Sequence, residues 1–128
     1  MTLRIVQLGS PRQRVEGLRI GTVRRPPRGV PRSRYSSDNW YDVWLPDLAP
    51  SARVVKRALA AETPAEWKAF VKQYRREMNQ PDKIRLLKLL AALSQETNLS
   101  VGCYCEDESR CHRSVLRELL RENGARLG

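Results

Sequence analysis

Two kinds of hydrophobic pattern predict short strands near the ends of the chain and helices in its middle. Short alternating or continuous apolar runs predict strands at residues 3–8, 18–23 and 99–105. Apolar residues that recur every three or four positions predict helices at residues 51–61, 63–78, 81–97 and 109–123. Together they predict a single α/β domain, residues 1–128. It is expected to be a small three-layer domain with a central, mainly parallel sheet of about three or four strands, flanked by about five helices.

The clearest helix begins at Thr63-Pro64-Ala65-Glu66, which combines a capping box with a proline at the first helical position. One apolar stripe follows it, which predicts a core face: Trp67, Phe70, Val71, Tyr74 and Met78. Gly124 is well placed to end the last helix. The fifth helix is predicted to be short, to be capped by Asp38 and to end before Pro46, and to carry Trp40, Tyr41, Trp44 and Leu45.

Residues 24–37 fit neither pattern and are rich in arginine and proline. Pro26, Pro27 and Pro31 remove backbone donors, so a helix or an inner strand is excluded there. The segment is predicted to be a long loop, and long ordered loops often bind ligands. Disorder is the alternative interpretation.

The formal net charge of +10 is concentrated at the N-terminus. Residues 1–34 contain nine arginines, no lysine and one acid, so they carry +8, whereas residues 35–128 carry +2. Because arginine binds phosphate through a planar fork, this cluster favours an anionic partner, either a nucleotide or a nucleic acid. A general preference for arginine over lysine explains the same counts without any ligand.

The cysteine count favours a reducing compartment. Three is an odd number, so the cysteines cannot all pair within one chain, and a cytoplasmic protein is expected. No apolar run is long enough for a membrane span, and the first residues do not resemble a signal peptide. No membrane partner is therefore expected, and the pattern favours no particular oligomeric state.

All three cysteines and the only histidine lie in one stretch, residues 101–114. If Ser109 caps the last helix, Cys111 and His112 lie in its first turn, where free N–H groups attract anions and lower thiol pKa values. The stretch is therefore predicted to form a catalytic or anion-binding pocket, with Cys111 as nucleophile and His112 as base. The predicted catalytic residues are Cys111, His112 and Cys103, and Arg113 and Ser114 are predicted to bind the anion.

Three other interpretations of this stretch stay open. A zinc site would use Cys103, Cys105, Cys111 and His112, but zinc modules usually space each ligand pair by two to four residues. Redox chemistry at Cys103-Tyr104-Cys105 lacks the usual two-residue spacer, and a purely structural cluster of buried thiols is the last alternative. A tyrosine-phosphatase loop is excluded, because the sixth residue after Cys103 is Ser109 and not arginine. No metal and no cofactor is expected.

Three segments resemble the domain-of-unknown-function 488 family. The most specific is Cys103 followed by Cys111-His112-Arg113 and Val115-Leu116. Thr22-Val23-Arg24-Arg25-Pro26-Pro27-Arg28-Gly29 is similar to the family's arginine that leads into a proline-rich loop. Tyr41-Asp42-Val43-Trp44-Leu45-Pro46-Asp47-Leu48-Ala49-Pro50-Ser51 resembles the "WL…LAPS" segment of the YeaO-like branch.

The resemblance implies a small α/β domain with a mainly parallel sheet, and no established reaction. It also implies that Arg24 converges with Cys111-His112-Arg113 at one end of the sheet. The pocket is therefore expected to include Arg24 and Arg28 as anion-binding residues. A non-catalytic nucleic-acid-binding module and a zinc-stabilised interaction domain are the alternatives. The short link between the first two strands conflicts with a parallel crossover, so an antiparallel pair is possible there.

Overall fold

The computed structural model describes all 128 residues. Four parallel strands form one sheet in the order β1-β4-β2-β3: β1 (Leu3–Gln7), β2 (Leu18–Gly21), β3 (Val43–Trp44) and β4 (Leu99–Cys103). Four α-helices accompany it: α1 (Ala52–Ala60), α2 (Pro64–Met78), α3 (Pro81–Glu96) and α4 (His112–Glu122). The predicted α/β class is confirmed, with four helices where about five were expected. No helix has the length and apolar character that crossing a bilayer requires.

The helix predicted from Asp38 was wrong, because tertiary contacts override the local pattern. Its last residues form β3, which pairs with β2, and Asn39 has a left-handed φ of 66° that interrupts any helix. Tyr41 packs against Gly21 of β2, where an added Cβ would lie 2.3 Å from its ring. The Trp44 indole donates a hydrogen bond to the Val23 carbonyl at 2.8 Å. These contacts require an extended segment along the sheet edge.

The first two strands are parallel and are not neighbours, because β4 lies between them. The link between β1 and β2, which looked too short for parallel strands, is long enough because both strands are short. A strand of five residues is roughly 17 Å long. The connection at residues 8–17 can span about 33 Å when it is extended. The chain therefore returns to the start of the sheet without a crossover helix.

The two faces of the sheet differ in chemistry. Ile20 and Val101 belong to a buried cluster that also contains apolar side chains from all four helices. The positions beside them, Arg19 and Ser100, are buried and polar. They meet Glu16 from the connection at residues 8–17, which bonds to both side chains. One face therefore carries the hydrophobic core, and the other is closed by connecting segments through polar contacts.

Helix α4 begins later than the sequence predicted. Residues Glu108–Arg110 form a turn of 3-10 helix, with the Asp107 side chain accepting from the Ser109 amide at 3.0 Å. Cys111 then has an extended conformation and takes the cap position. His112 is consequently the first helical residue, at the carboxyl end of β4. The predicted helix start at Thr63-Pro64 is confirmed, since the Thr63 hydroxyl accepts from the Glu66 amide at 3.1 Å.

We expect Gly17→Ala to destabilise the protein much more than Gly29→Ala. Both glycines have left-handed φ values, 71° and 75°, so alanine is strained at each. Only at Gly17 would the new Cβ collide with backbone, lying 2.0 Å from the Asn98 carbonyl oxygen, whereas Gly29 faces open space. Urea titration should show a loss of about 1 kcal/mol for Gly29→Ala and at least about 2–3 kcal/mol for Gly17→Ala. Equal losses would contradict the close approach.

Candidate functional site

The cysteines and the histidine meet where β4 ends and α4 begins. Cys103 is the last residue of β4, Cys111 caps α4, and His112 opens it. Both thiol sulfurs and a ring nitrogen of His112 lie within 4.8 Å of one another, and all three residues are buried. This is the carboxyl end of a parallel sheet, where α/β folds commonly bind ligands. The cluster expected from the sequence therefore exists.

The imidazole of His112 is fixed by contacts on two sides. Its Nε2 lies 2.8 Å from the Thr22 carbonyl oxygen, and its Nδ1 lies 3.9 Å from the Cys111 sulfur. Because a carbonyl only accepts, we assign the ring proton to Nε2, which leaves the Nδ1 lone pair facing the thiols. The Tyr74 ring packs against the imidazole in a T-shaped arrangement, with ring centroids 5.7 Å apart.

Cys105 joins this cluster from the exposed side. Its sulfur lies 3.8 Å from that of Cys103. Hydrogen bonding to Cys105, then to Cys111, and burial raise the pKa of the Cys103 thiol. The hydrogen bond from Cys103 lowers the pKa of Cys105 and also that of Cys111, to which His112 contributes. The sequence reasoning included Cys105 only in its zinc and redox interpretations and not among the predicted catalytic residues.

Cys103, Cys105, Cys111 and His112 line a cavity of about 370 Å³. Apolar side chains from two helices form its walls, among them Val55 and Leu59 of α1 and Phe70 of α2. Its basic lining residues are Arg24, Arg25, Lys56 and Arg110. None of its lining residues is acidic. The cavity lining is therefore mostly apolar and includes thiols, an imidazole and four basic side chains that no acidic lining residue compensates.

The structure brings only one of the two predicted loop arginines into this cavity. Arg24 lines it, and its guanidinium donates to the Ala49 and Pro50 carbonyls, each at 3.1 Å. Arg28 instead lines a neighbouring cavity together with Trp40. Arg25 and Tyr104 line both cavities, so the two adjoin each other.

Two further predicted residues lie behind the cluster. Arg113 is buried, donates to the Cys105 carbonyl, and leaves its Nε without a hydrogen-bond partner. The Ser114 hydroxyl donates to the Cys111 carbonyl at 2.9 Å. Neither residue lines the cavity, so both are placed to position the cysteine-bearing backbone.

Three basic residues of the cavity were missed by the sequence reasoning: Arg25, Lys56 and Arg110. Each resembles an ordinary surface charge, and Lys56 lies on a helix that is far from the cysteines along the chain. Arg110 is held by a bond to the Ala61 carbonyl at 3.0 Å and lies over the Trp67 ring. Arg25 was visible only as one of many arginines. Lys56 lies at the cavity through α1, whereas Arg25 comes from the loop after β2 and Arg110 from the turn before α4. Their convergence is a tertiary arrangement with no local signal in the sequence.

The N-terminal arginine cluster does not form one free patch. Arg19 is buried in an ion pair with Glu16. Arg12 binds Asp42 at 2.8 Å, and Arg34 pairs with Asp38 at 2.9 Å. Some of the N-terminal arginines therefore form ion pairs within the fold, whereas others line the cavities.

The protein is thus a small α/β domain with a parallel sheet. The cluster of thiols and imidazole at the carboxyl end of that sheet is its candidate active site. Within that class, the chain matches over residues 3–124 the family model DUF488-N3a, described as the active DUF488-N3 subclade. The chain therefore belongs to the DUF488 family, which confirms the resemblance seen in the sequence. Comparisons with curated proteins and with solved structures gave no match.

Proposed function

We propose that the cavity binds a phosphate-bearing small molecule of the nucleotide class, held over the cysteine–histidine cluster as its reaction centre. The observation that carries this proposal is the lining of the cavity. Arg24, Arg25, Lys56 and Arg110 line the same space as the cluster, and none of them forms an ion pair with a carboxylate. Unpaired cations beside an apolar cavity favour an anion that also has an apolar part.

The shape and chemistry of the cavity suit a nucleotide. A volume of about 370 Å³ lies within the range typical of small-ligand pockets. Val55, Leu59 and Phe70 offer an apolar surface to a base, while the arginines offer planar donors to a phosphate. The description of the matching subclade as active supports a reaction at this site. Cys105 is the thiol that the cavity exposes, whereas Cys111 is only 2% exposed.

A specific feature also favours the nucleic-acid alternative. The neighbouring cavity carries Trp40 and Arg28, and it adjoins the first through Arg25 and Tyr104. An aromatic ring beside cations is the usual arrangement for stacking an unpaired base. A short single-stranded oligonucleotide would therefore occupy both cavities, whereas a mononucleotide needs only the one at the cluster.

The test is calorimetric titration with AMP, with inorganic phosphate and with a short single-stranded oligonucleotide. The double variant Arg25→Gln/Lys56→Gln removes two cations whose side chains have no hydrogen-bond partner in the fold. Charge-assisted hydrogen bonds are worth about 1.5–3 kcal/mol each, so AMP affinity should fall at least about tenfold. The matched control is Arg53→Gln/Arg57→Gln, which removes two exposed charges of α1 that do not line the cavity.

AMP binding that is weakened by the cavity variant and kept by the control supports the proposal. Absence of saturable AMP binding, or equal weakening by both double variants, would refute it. Oligonucleotide binding without AMP binding, weakened by Trp40→Ala, would favour the nucleic-acid module instead.

A further inference from the structure

We infer that Cys103, Cys105, Cys111 and His112 form a four-ligand zinc site at the end of the cavity. This goes beyond the proposed ligand binding and does not depend on it, and it makes the reaction centre of that proposal a zinc–thiolate cluster and not a set of free thiols. It also differs from the sequence expectation of no metal. Three thiol sulfurs and an imidazole nitrogen are the ligands of structural zinc sites of the Cys₃His type.

The distances agree with tetrahedral zinc. Zinc binds sulfur at about 2.3 Å and nitrogen at 2.0–2.1 Å, so the edges of its tetrahedron are about 3.5–3.8 Å. The sulfurs of Cys103 and Cys105 are 3.8 Å apart, and the Cys111 sulfur lies 3.9 Å from His112 Nδ1. The ligand atoms of Cys103, Cys111 and His112 all lie within 4.8 Å of one another. The two pairs therefore have nearly the separation of tetrahedral edges, and the three core ligand atoms lie near enough to share one ion.

The conformation of the chain explains how these four residues can meet although their spacing differs from that of common zinc modules. Cys103 ends β4, and a bend at Tyr104 brings the Cys105 sulfur to 3.8 Å from that of Cys103. Cys111 is extended, with φ −128° and ψ 152°, and His112 is the first residue of α4. This change of conformation between adjacent residues turns both side chains toward one point. A strand end and a helix start therefore supply the ligand pairs without the usual spacers.

The surroundings of His112 suit a metal ligand. Zinc-bound histidines almost always donate the other ring N–H to a carbonyl or carboxylate, which fixes the ring and its tautomer. Here His112 Nε2 lies 2.8 Å from the Thr22 carbonyl oxygen, and Nδ1 faces the sulfurs. The Thr22 hydroxyl in turn donates to the Gly102 carbonyl at 3.0 Å, which secures the segment that carries the acceptor.

The charge of the residues around the cluster is also complementary to that of a zinc complex. Zinc with three thiolates and a neutral imidazole carries one excess negative charge. Arg113 is buried behind the cluster, donates to the Cys105 carbonyl and has an unpaired Nε. A buried cation needs a compensating anion, and the fold gives Arg113 no carboxylate partner. The negatively charged metal complex would supply it.

The softness of the sulfur and nitrogen ligand atoms indicates which metal ion the site would bind. Thiolate and imidazole together favour zinc over magnesium, calcium or manganese, which prefer oxygen ligands. Binding forms three Zn–S bonds and one Zn–N bond, and each thiol releases its proton to the buffer, with no change in oxidation state. Cys105 is exposed, so it is the ligand that can exchange, whereas the other three are held in the core.

The test measures metal in the full-length protein, purified with a phosphine reductant and without chelator, then exposed to excess zinc and dialysed. We expect about one zinc per chain by mass spectrometry. Cys111→Ser and His112→Asn should each retain less than about a tenth of that amount, while Cys105→Ser retains an intermediate amount. The matched control is Glu106→Gln, because Glu106 is an exposed acid beside Cys105 and should not affect the zinc content.

A second measurement covers the case in which the core variants do not fold. In the wild-type protein, iodoacetamide should alkylate Cys105 at least about tenfold more slowly with zinc bound, and a chelator should restore the rate. Cobalt substitution should give a thiolate-to-metal charge-transfer band. Folded wild-type protein without bound zinc, a zinc-independent alkylation rate, or zinc loss in Glu106→Gln would each overturn the inference. Retention of iron in place of zinc would also overturn it.

Discussion

Replacing Arg19 with methionine is expected to lower the free energy of unfolding by about 3–5 kcal/mol. Arg19 is fully buried, and its guanidinium binds both carboxylate oxygens of Glu16 at 2.8 and 3.0 Å. It also donates to the carbonyls of Ser10 and Asn39, so it ties two connecting segments to the polar face of the sheet. Methionine would leave the Glu16 carboxylate buried without its counter-charge.

Equilibrium urea unfolding measures this loss against two matched variants. Arg34→Met removes an exposed pair with Asp38 and should cost at most about 1 kcal/mol. Arg19→Met/Glu16→Gln should recover part of the loss, because no charge then stays unpaired in the interior. If Arg19→Met were no worse than Arg34→Met, the pair would not stabilise the fold.

The same pair predicts a dependence on pH. Burial raises the pKa of Glu16, but hydrogen bonds from Arg19, Gln13 and Ser100 outweigh it and lower the pKa below its ordinary value. A lowered folded-state pKa stabilises the protein above the unfolded pKa of about 4.3, and this stabilisation is lost as the pH falls through the lowered value. The difference between wild type and Arg19→Met should therefore be greatest near neutral pH and should shrink below about pH 4.

Phe70→Ala is expected to destabilise the protein by about 3–5 kcal/mol and also to loosen the site. Phe70 is fully buried, lines the cavity, and stacks on Tyr74 with ring centroids 6.0 Å apart. Tyr74 donates a hydrogen bond to the Leu48 carbonyl at 2.6 Å and packs against the His112 imidazole in a T-shaped arrangement. Removal of the Phe70 ring leaves a void behind the residue that supports the imidazole.

The matched control is Leu59→Ala, which truncates another cavity-lining side chain that is 80% exposed. It should change the unfolding free energy by less than about 0.5 kcal/mol. Thermal and urea unfolding of both variants give the comparison, and NMR of the His112 ring reports on the site. Similar losses for Phe70→Ala and Leu59→Ala would show that the aromatic stack does not support the fold.

Local patterns in the sequence predicted the elements that are stabilised locally. The capping box at Thr63 and the apolar stripe of α2 set that helix from neighbouring residues alone. The segment at residues 38–45 was misread because its conformation depends on Gly21 and Val23, which are distant along the chain. The start of α4 shifted for a similar reason, since the Asp107 side chain closes a separate turn before it.

The residues of the candidate site also divide into those that local sequence predicted and those that depend on tertiary packing. Cys103, Cys111 and His112 were expected together, because a strand and the helix that follows it bring them to one place. Arg24 was linked to them by family resemblance, and it lines the same cavity. Lys56 could not be found in this way, because its place at the cavity depends on how α1 packs in three dimensions.

The order of the strands has a consequence for synthesis on the ribosome. The two strands made first, β1 and β2, are joined to each other only through β4, which is the last of the four strands to be made. Until Leu99–Cys103 has left the exit tunnel, the nascent chain lacks the strand that lies between β1 and β2 and pairs with both. Completion of the sheet and assembly of the site therefore both wait for β4 and depend on long-range pairing.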